Sequence, residues 1–576
     1  MISVERSFLE KFPRLAQGRA RAFSQPVIEL LRRIACEERI NRMLAEIAPL
    51  TGFDFIERVL DYLHVSYSVA NTDRENIPVD GRVVIVANHP LGALDAMALL
   101  QLVGSVRRDV RILANDVLLQ FGQFDNLLLP VNVFAAEGGS SGRLREAYRA
   151  LDREQALIVF PAGEVSRMGA QGVRDAAWST GFVRLACKMR APVLPVHIAA
   201  SNSPVFYGAS MLAKPLATLL LAREVFGAMR ARIGFSLGAT VSAAELERSK
   251  LPSQQVAQHM RRHVYRLPKR RPAKFVTENA IAHPESPLAV KRALARGEVL
   301  GQTSDGKRIL LIDAAPDCPV MREIGRLREL SFRRVGEGTG MRRDLDRYDG
   351  HYQHLVLWDE HALVIVGAYR LGEAASILQR HGMSGLYSTS LFEYSTNAQE
   401  FLSGGVELGR SFVQPAYWGS RSLDYLWQGI GAYLRHRPQL RYLFGPVSLS
   451  AALSLSAREW IVHCHQHYFG DPELLARARI PFPISAEVVQ EATPLWRESD
   501  SKAGLQALRH HLAQSDSTLP VLYRQYVDLC EPEGVRFLAF AVDPAFGHCV
   551  DGLIRLDLAQ LKPAKRLRYL DCAPAP

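Results

Sequence analysis

Apolar residues fall at helical spacing across residues 27–66, at Ile28, Leu31 and Ile34 and again at Phe55, Val59, Leu60 and Leu63, which predicts a helical lead-in. The period then changes. Residues 82–87 (RVVIVA) form a short β-branched apolar run, and runs of the same kind recur at 110–114, 129–134, 156–160 and 192–198. Each has the length and composition of a buried strand, and the stretches between them, such as 142–151 and 178–189, are long enough for helices. Strands alternating with helices predict an α/β domain with a largely parallel sheet. The longest uncharged stretch, 191–213, contains Pro192, Pro195, His197, Asn202 and Pro204. It therefore reads as a strand and loop inside a soluble domain rather than a membrane span.

The second half follows another pattern. Residues 319–335 form an amphipathic helix through Ile324, Leu327 and Leu330, and the apolar runs 354–358 and 362–369 flank Asp359, Glu360 and His361 as a hairpin would. A strand at 405–412 precedes a helix at 422–434 with Leu423, Leu426, Trp427, Ile430 and Leu434 on one face, and 441–444 and 537–542 complete a mainly antiparallel set. Between the halves, 261–274 (RRHVYRLPKRRPAK) has seven Lys and Arg, two prolines and no acid, which fits a solvated linker or a patch for membrane or carrier protein. The expected segments are a helical lead-in at 1–74, an α/β domain at 75–285 and a mixed α+β domain at 286–576.

Composition narrows the class. The 576 residues suffice for two to four domains, and 48% hydrophobic with 22% charged residues exclude a disordered or fibrous chain. The net charge of +11 favours anionic partners. No helix-turn-helix or aromatic-basic motif accompanies it, so no nucleic-acid partner is expected. Seven scattered cysteines without a CxxC pair argue against a zinc ribbon or disulfide framework and fit a reducing cytoplasm. Residues 1–21 do not look like a secretory signal, so work at a membrane is expected from its surface. His463, His465 and His467 alternate, and on a strand would point one way; no metal site is expected there.

The strand 82–87 runs directly into Asn88-His89-Pro90-Leu91-Gly92-Ala93-Leu94-Asp95. A histidine at the C-terminal end of a buried strand lies where α/β folds place their chemistry. Pro90 and Gly92 disfavour a regular helix through the turn, so His89 and Asp95 can fold back on one another. An Asp that accepts from one imidazole nitrogen fixes the tautomer and leaves the other nitrogen to take a proton from a hydroxyl. A second strand leads into Phe160-Pro161-Ala162-Gly163-Glu164-Val165-Ser166, and 191–197 (APVLPVH) forms a third. In order and spacing, roughly residues 75–245 resemble the glycerolphosphate and lysophospholipid acyltransferase family. The resemblance implies that His89 is the general base, that Asp95 orients it, and that Asn88, Gly163, Glu164, Ser166 and Arg167 meet the substrate, with backbone donors near Gly163 steadying an oxyanion. Five residues separate His89 from Asp95 where that family usually has four, Gly163 precedes Glu164 with Arg167 displaced, and no arginine lies at 130–136. An acceptor without a phosphate headgroup would account for all three departures, as would ordinary drift.

In the second half, Asp344-Leu345-Asp346-Arg347-Tyr348-Asp349 precedes the hairpin that ends at Arg370, and 407–413 (ELGRSFV) and 442–448 (YLFGPVS) follow. Over roughly 300–560 this set resembles the ornithine N-acyltransferases, within the N-acetyltransferase-like fold that includes acyl-homoserine-lactone synthases. Such a fold implies two parallel strands that splay apart, a backbone N–H in the gap bonding a thioester carbonyl, and a carboxylate that accepts the amine proton. Glu407 is the expected base. Asp346 and Asp349 are expected on the acceptor's ammonium, with Arg370 and Arg410 on its carboxylate or a carrier phosphate. Residues 414–419 (QPAYWG) hold one glycine, too few for the usual coenzyme-A loop, so acyl carrier protein thioesters are the expected donors and no bound cofactor is expected.

Two such halves in one chain resemble the bifunctional ornithine lipid synthases of bacteria. The resemblance implies that the C-terminal half joins a 3-hydroxyacyl group to the α-amine of ornithine. The N-terminal half then acylates the hydroxyl of the lyso-ornithine lipid at an anionic inner-membrane surface. The alternatives are the same steps on glycine, lysine or another amino acid, or a lysophospholipid O-acyltransferase with a non-catalytic C-terminal module. Nothing in the sequence reads the acceptor's side chain, although an acidic pocket residue would favour ornithine.

Overall fold

The computed structural model describes residues 5 and 19–571, apart from 35, 115–121, 131–140, 170–171, 213, 228, 230, 314, 316, 498 and 516, and the chain divides into the units Met1–Ala280 and Ile281–Pro576. The loop at 130–136 thus lies almost wholly outside the described residues. Among the described residues no helix is long and apolar enough to cross a membrane.

Helices α1 (Arg19–Ile34), α2 (Glu37–Ile47) and α3 (Gly52–Tyr62) lead the first unit. Phe55, Val59 and Leu60 of α3 are buried in one apolar cluster with Leu99 and Val103. There follow β1 (Ser66–Val69), β2 (Val83–Ala87), α4 (Ala93–Gly104), β3 (Val110–Ala114), β4 (Leu128–Pro130), α5 (Ser141–Asp152) and β5 (Ala156–Val159). After the small hairpin β6 (Arg167–Gly169) and β7 (Gly172–Arg174) come α6 (Gly181–Lys188), β8 (Val193–Ala199), α7 (Pro204–Leu212), α8 (Lys214–Gly227), β9 (Arg232–Leu237) and α9 (Ser253–Val264).

The strands form one sheet in the order β1-β9-β8-β2-β5-β3-β4, parallel at every pairing except β8 with β9. Val83 and Ile85 of β2 enter the apolar cluster on one face and Val84 and Val86 the cluster on the other. Burial on both faces is why its sequence is apolar without alternation. Helix α4, with ten of its twelve residues buried, is apolar all round for the same reason. From β2 the chain moves two places one way to β3, and from β5 it crosses to β8 on the other side. The C-terminal end of β2 therefore sits at a topological switch point, where open α/β sheets form crevices.

Two expectations are corrected here. Of the stretch 191–213, the described residues up to 212 are a strand followed by helix α7 rather than a strand and loop, because Ser203 accepts the Phe206 N–H at 3.2 Å and Pro204 opens the helix, a favourable start for both residues. The basic stretch 261–274 is not a plain linker: its first four residues close α9, and His263 and Val264 are buried with Val256, Ala257 and Met260 at helical spacing.

In the second unit β10 (Glu298–Gln302), β11 (Arg308–Ile312), α10 (Pro319–Arg334), β12 (Gln353–Asp359), β13 (Val364–Glu373), β14 (Phe392–Tyr394), β15 (Gly405–Val413), α11 (Ser422–Arg435), β16 (Tyr442–Leu449), α12 (Leu455–Phe469), β17 (Ala476–Ala478), β18 (Val535–Asp543) and β19 (Cys549–Asp557) succeed one another. Eight strands form a mixed sheet in the order β10-β11-β12-β13-β15-β16-β19-β18. Only β15 and β16 pair in parallel, and only over 405–407 against 442–444. Beyond that point they part.

Two features shape the parting. Between the pairs Ala368–Phe412 and Arg370–Gly409, β15 carries one more residue than β13, a β-bulge with Arg410 at φ +48°. Gly445 has φ +155°, and a Cβ there would lie 2.1 Å from the Leu408 carbonyl oxygen. The alternating histidines also need correction. His463, His465 and His467 ride on α12, whose N-cap Ser454 accepts the Ala457 N–H at 3.1 Å. Residues two apart on a helix diverge, so His465 packs against Tyr523 and Phe537 while His463 and His467 meet Trp496.

Candidate active sites

At the end of β2 the chain must turn sharply into α4, and Gly92 makes the turn with φ +91°, a backbone conformation in which a side chain is strained. The turn brings His89 and Asp95 together: Nδ1 lies 3.0 Å from Oδ1 of the fully buried carboxylate, at ion-pair distance with the ring N–H pointing to one side of the oxygen. Oδ2 of Asp95 accepts the Leu91 N–H at 2.7 Å, which fixes the carboxylate within the turn. Phe160 stacks on the imidazole with ring centroids 4.0 Å apart. Burial disfavours the charged imidazole, but the adjacent Asp95 carboxylate, with a smaller contribution from the Asp175 charge, outweighs it and raises the pKa above the usual value. The side chain is 17% exposed, and Nε2 has no partner among the described residues. A neutral His89 can therefore take a proton from a hydroxyl.

The neighbouring residues divide by what holds them. Asn88 is buried; its amide donates to the Ile198 carbonyl at 2.9 Å and its oxygen accepts the Ile198 N–H at 2.7 Å, so it ties β2 to β8 and is not open to substrate. Ser166 is buried as well. Its N–H donates to the His89 carbonyl at 2.8 Å and its hydroxyl to Asp175 Oδ1, which removes it from the expected substrate contacts. The Gly163 N–H closes a turn on the Phe160 carbonyl at 3.1 Å and is likewise engaged. Glu164 and Arg167 pair at 3.1 Å and stay partly exposed.

Asp175 was not anticipated from the sequence. Besides Ser166 it accepts the His89 N–H at 3.2 Å and the Trp178 indole at 2.8 Å, and its own N–H and carbonyl engage Tyr265 and Arg261 of the basic stretch. It stitches the histidine turn to the 160–166 loop. An acid between Arg174 and Ala176 carries no local pattern that would single it out.

In the second unit the expected polar residues do converge, but upon one another. Arg370 meets Asp346 at 2.6 Å and Asp349 at 3.2 Å, Arg328 meets Asp349 at 2.8 Å, and Arg410 meets Asp344 at 3.0 Å and Asp346 at 3.5 Å. Three guanidinium groups thus face three carboxylates. Buried charges require such pairing: Asp349 is held by Arg328 and Arg370, while Arg370, also fully buried, spends only one nitrogen on the network and keeps Nε and the other terminal nitrogen without a hydrogen-bond partner among the described residues. Burial alone would raise the Asp349 pKa, yet Arg328 and Arg370 hold it well below the usual carboxylate range. Asp346 and Arg410 remain partly accessible.

Glu407 is also accounted for within the fold. At the last position where β15 pairs with β16, it accepts the Ser388 N–H at 2.6 Å, the Tyr387 N–H at 3.1 Å and the Tyr352 hydroxyl. It is buried and anchors the 386–390 segment, so the expected base has its oxygens engaged elsewhere.

Where β15 and β16 part there is a cavity of about 790 Å³, bounded by 408–413, by 446–448 and on its apolar side by Phe332, Leu453, Val521, Leu522 and Phe546. That is ample for an amino acid and part of an acyl chain, since ligand sites commonly span ~300–1,000 Å³. Its acidic lining residues, Glu337 after α10 and Asp551 on β19, escaped the sequence reading. Asp551 Oδ1 accepts the Ser448 hydroxyl at 2.6 Å. Burial, reinforced by the Asp551 charge and opposed by Arg410, pushes the Glu337 carboxyl up to about 8. Burial, opposed by the Ser448 bond and aided by Asp543, raises Asp551 to about 6. The one signal available was an acid at an inward position of the apolar strand CVDGLIRLD.

Residues 6–270 match the acyltransferase family, and residues 327–428 match the acetyltransferase (GNAT) domain. The chain is 30% identical over 305 residues to a glycine N(alpha)-acyltransferase of Phocaeicola vulgatus, spanning 50% of this chain and 92% of that protein. It is 29% identical over 248 residues to a lyso-glycine lipid O-acyltransferase of the same organism, spanning 42% and 87%. To an L-ornithine N(alpha)-acyltransferase of Brucella abortus it is 35% identical over 143 residues, spanning 22% and 48%.

Proposed function

The chain belongs to the bacterial aminolipid acyltransferases, an O-acylating unit and an N-acylating unit on one polypeptide, and on that premise we propose that it builds ornithine lipid in two steps. The second unit transfers a 3-hydroxyacyl group from acyl carrier protein to the α-amine of ornithine. The first unit then acylates the 3-hydroxyl of the product. His89 takes the hydroxyl proton as the oxygen attacks the second thioester, and returns it to the leaving thiolate as the C–S bond breaks; Asp95 stabilises the imidazolium between the two events. On this reading Glu164 and Arg167, paired on the loop whose Ser166 N–H bonds the His89 carbonyl, meet the acceptor.

The observation that carries the choice of acceptor is the acidic lining of the second-unit cavity, Glu337 with Asp551. Glycine presents one ammonium and one carboxylate, whereas ornithine brings a second cation, and a second carboxyl that burial keeps protonated up to about 8 is ionised in this site when a cation lies beside it. Glycine is the runner-up because the glycine N(alpha)-acyltransferase matches over more of this chain than the ornithine enzyme does. Carrier protein as donor is supported by the single glycine of 414–419 and the net positive charge, and the same charge favours a peripheral place on an anionic membrane.

Mass spectrometry of lipids from a host lacking aminolipids tests the reading. Wild-type chain should give two-chain ornithine lipid, His89→Ala the single-chain lyso form, and cell fractionation should find the protein on membranes and released by salt. Glycine lipid in place of ornithine lipid would move the reading to the runner-up, and no aminolipid at all would overturn it.

A further inference from the structure

With Glu407 engaged by Ser388, Tyr387 and Tyr352 and outside the cavity's lining, the amine proton has another candidate destination. Two carboxyl groups line the cavity. Asp551 projects from β19 at the residue paired with Ser448 of β16, four positions past the last parallel pair, where the wedge between β15 and β16 has opened. Its carboxylate is oriented by the Ser448 hydroxyl at 2.6 Å and by the Cys549 thiol at 3.7 Å. Glu337 sits in the turn after α10, packed near Gly547 of the loop that leads into β19, and its carboxyl has no hydrogen-bond partner among the described residues. Arg410 and the Tyr387 hydroxyl, 3.0 Å apart, line the same space.

We propose that Asp551, oriented by Ser448, is the group that takes the proton from the acceptor's α-ammonium, with Glu337 as the second carboxyl of the same cavity. The inference rests on the N-acylation reading above. In the step, the ammonium N–H bond breaks and the proton passes to an Asp551 oxygen. The freed nitrogen lone pair attacks the thioester carbonyl, forming the C–N bond. When the tetrahedral adduct collapses the C–S bond breaks, and the nitrogen's surplus proton leaves with the thiolate as a thiol. One proton stays on Asp551 and returns to solvent. Such a base must be ionised at working pH yet basic enough to accept. Burial and the Asp543 charge raise Asp551 towards that range, while the Ser448 bond and Arg410 keep it ionisable. The other titratable groups facing it are Tyr387, Tyr523, Cys549 and Glu337.

The test uses the full chain with a 3-hydroxyacyl carrier-protein thioester and ornithine, following thiol release across pH. Asp551→Asn should lower kcat about 10²–10⁴-fold with little change in the donor KM, Asp551→Glu should restore part of it, and Ser448→Ala should cost less than Asp551→Asn. Asp543→Asn removes a charge that raises Asp551, so it should move the acid limb of kcat/KM to lower pH, a readout that remains if Asp551→Asn fails to fold. Turnover by Asp551→Asn within about threefold of wild type, or an acid limb unmoved by Asp543→Asn, would overturn the inference and leave the two-step reading standing. If the wild type transfers acyl groups to no amino acid, the reading falls and takes the inference with it.

Discussion

At His89 two opposed influences meet, and their balance can be measured. Burial depresses the imidazole pKa and Asp95 raises it, with the net above the ordinary value. In Asp95→Asn only the lesser charge effect of Asp175 still opposes burial, so the folded-state pKa falls and the acid limb of O-acylation shifts to lower pH. The rate itself drops about 10²–10⁴-fold, because nothing then fixes the tautomer or stabilises the imidazolium. Following O-acylation of a supplied lyso lipid against pH, with the imidazole titrated by NMR, checks both effects; an unmoved limb would mean that Asp95 only holds the turn through Leu91. The contact was legible in the sequence because both residues lie in one turn whose glycine is written between them. Asp175, Glu337 and Asp551 were not, since each reaches its site from a distant element and an isolated acid has no periodicity to read. Glu407 shows the converse: a local motif identified the strand correctly, yet the partners that engage its oxygens come from residues 352 and 387–388, which only the folded chain brings near.

Elements were easier to read where burial imposes a period. The all-apolar β2, the α10 stripe and the β12–β13 hairpin follow from pattern because each buries one face or both. Patterning failed where the period is ambiguous: three histidines at alternate positions fit a strand, but a Ser cap and fifteen uninterrupted helix-compatible residues put them on α12. The parting of β15 from β16 is a third kind of feature, set by backbone rather than side chains. Gly445→Ala would drive a Cβ to 2.1 Å from the Leu408 carbonyl oxygen, and backbone atoms cannot step aside as a flexible side chain can. The expected outcome is a loss of about 1–3 kcal/mol in the second unit's stability together with loss of N-acylation, while O-acylation of a supplied lyso lipid continues. Denaturant melts with separate assays of the two steps would detect this; retained N-acylation would show that the wedge tolerates closure.

For the whole molecule, the question is whether the two steps need one polypeptide. The first unit has its own apolar clusters, one on each face of its parallel sheet. The second has its own as well, around α11, α12 and β18 on one side and α10 on the other. Each unit is about 280–300 residues, a length at which an independent core is ample. The relatives from Phocaeicola vulgatus, an N-acyltransferase and a lyso lipid O-acyltransferase, are two separate proteins, each matching half of this chain or somewhat less. Residues 1–280 and 281–576 made as separate chains should therefore each unfold cooperatively in denaturant. Together in one host they should yield the same two-chain lipid as the intact chain, while residues 281–576 alone should accumulate the lyso form. If each piece is folded and active on its own substrate but the mixture still stops at the lyso lipid, the covalent connection itself delivers the intermediate, and the fusion serves the second step rather than merely joining two enzymes.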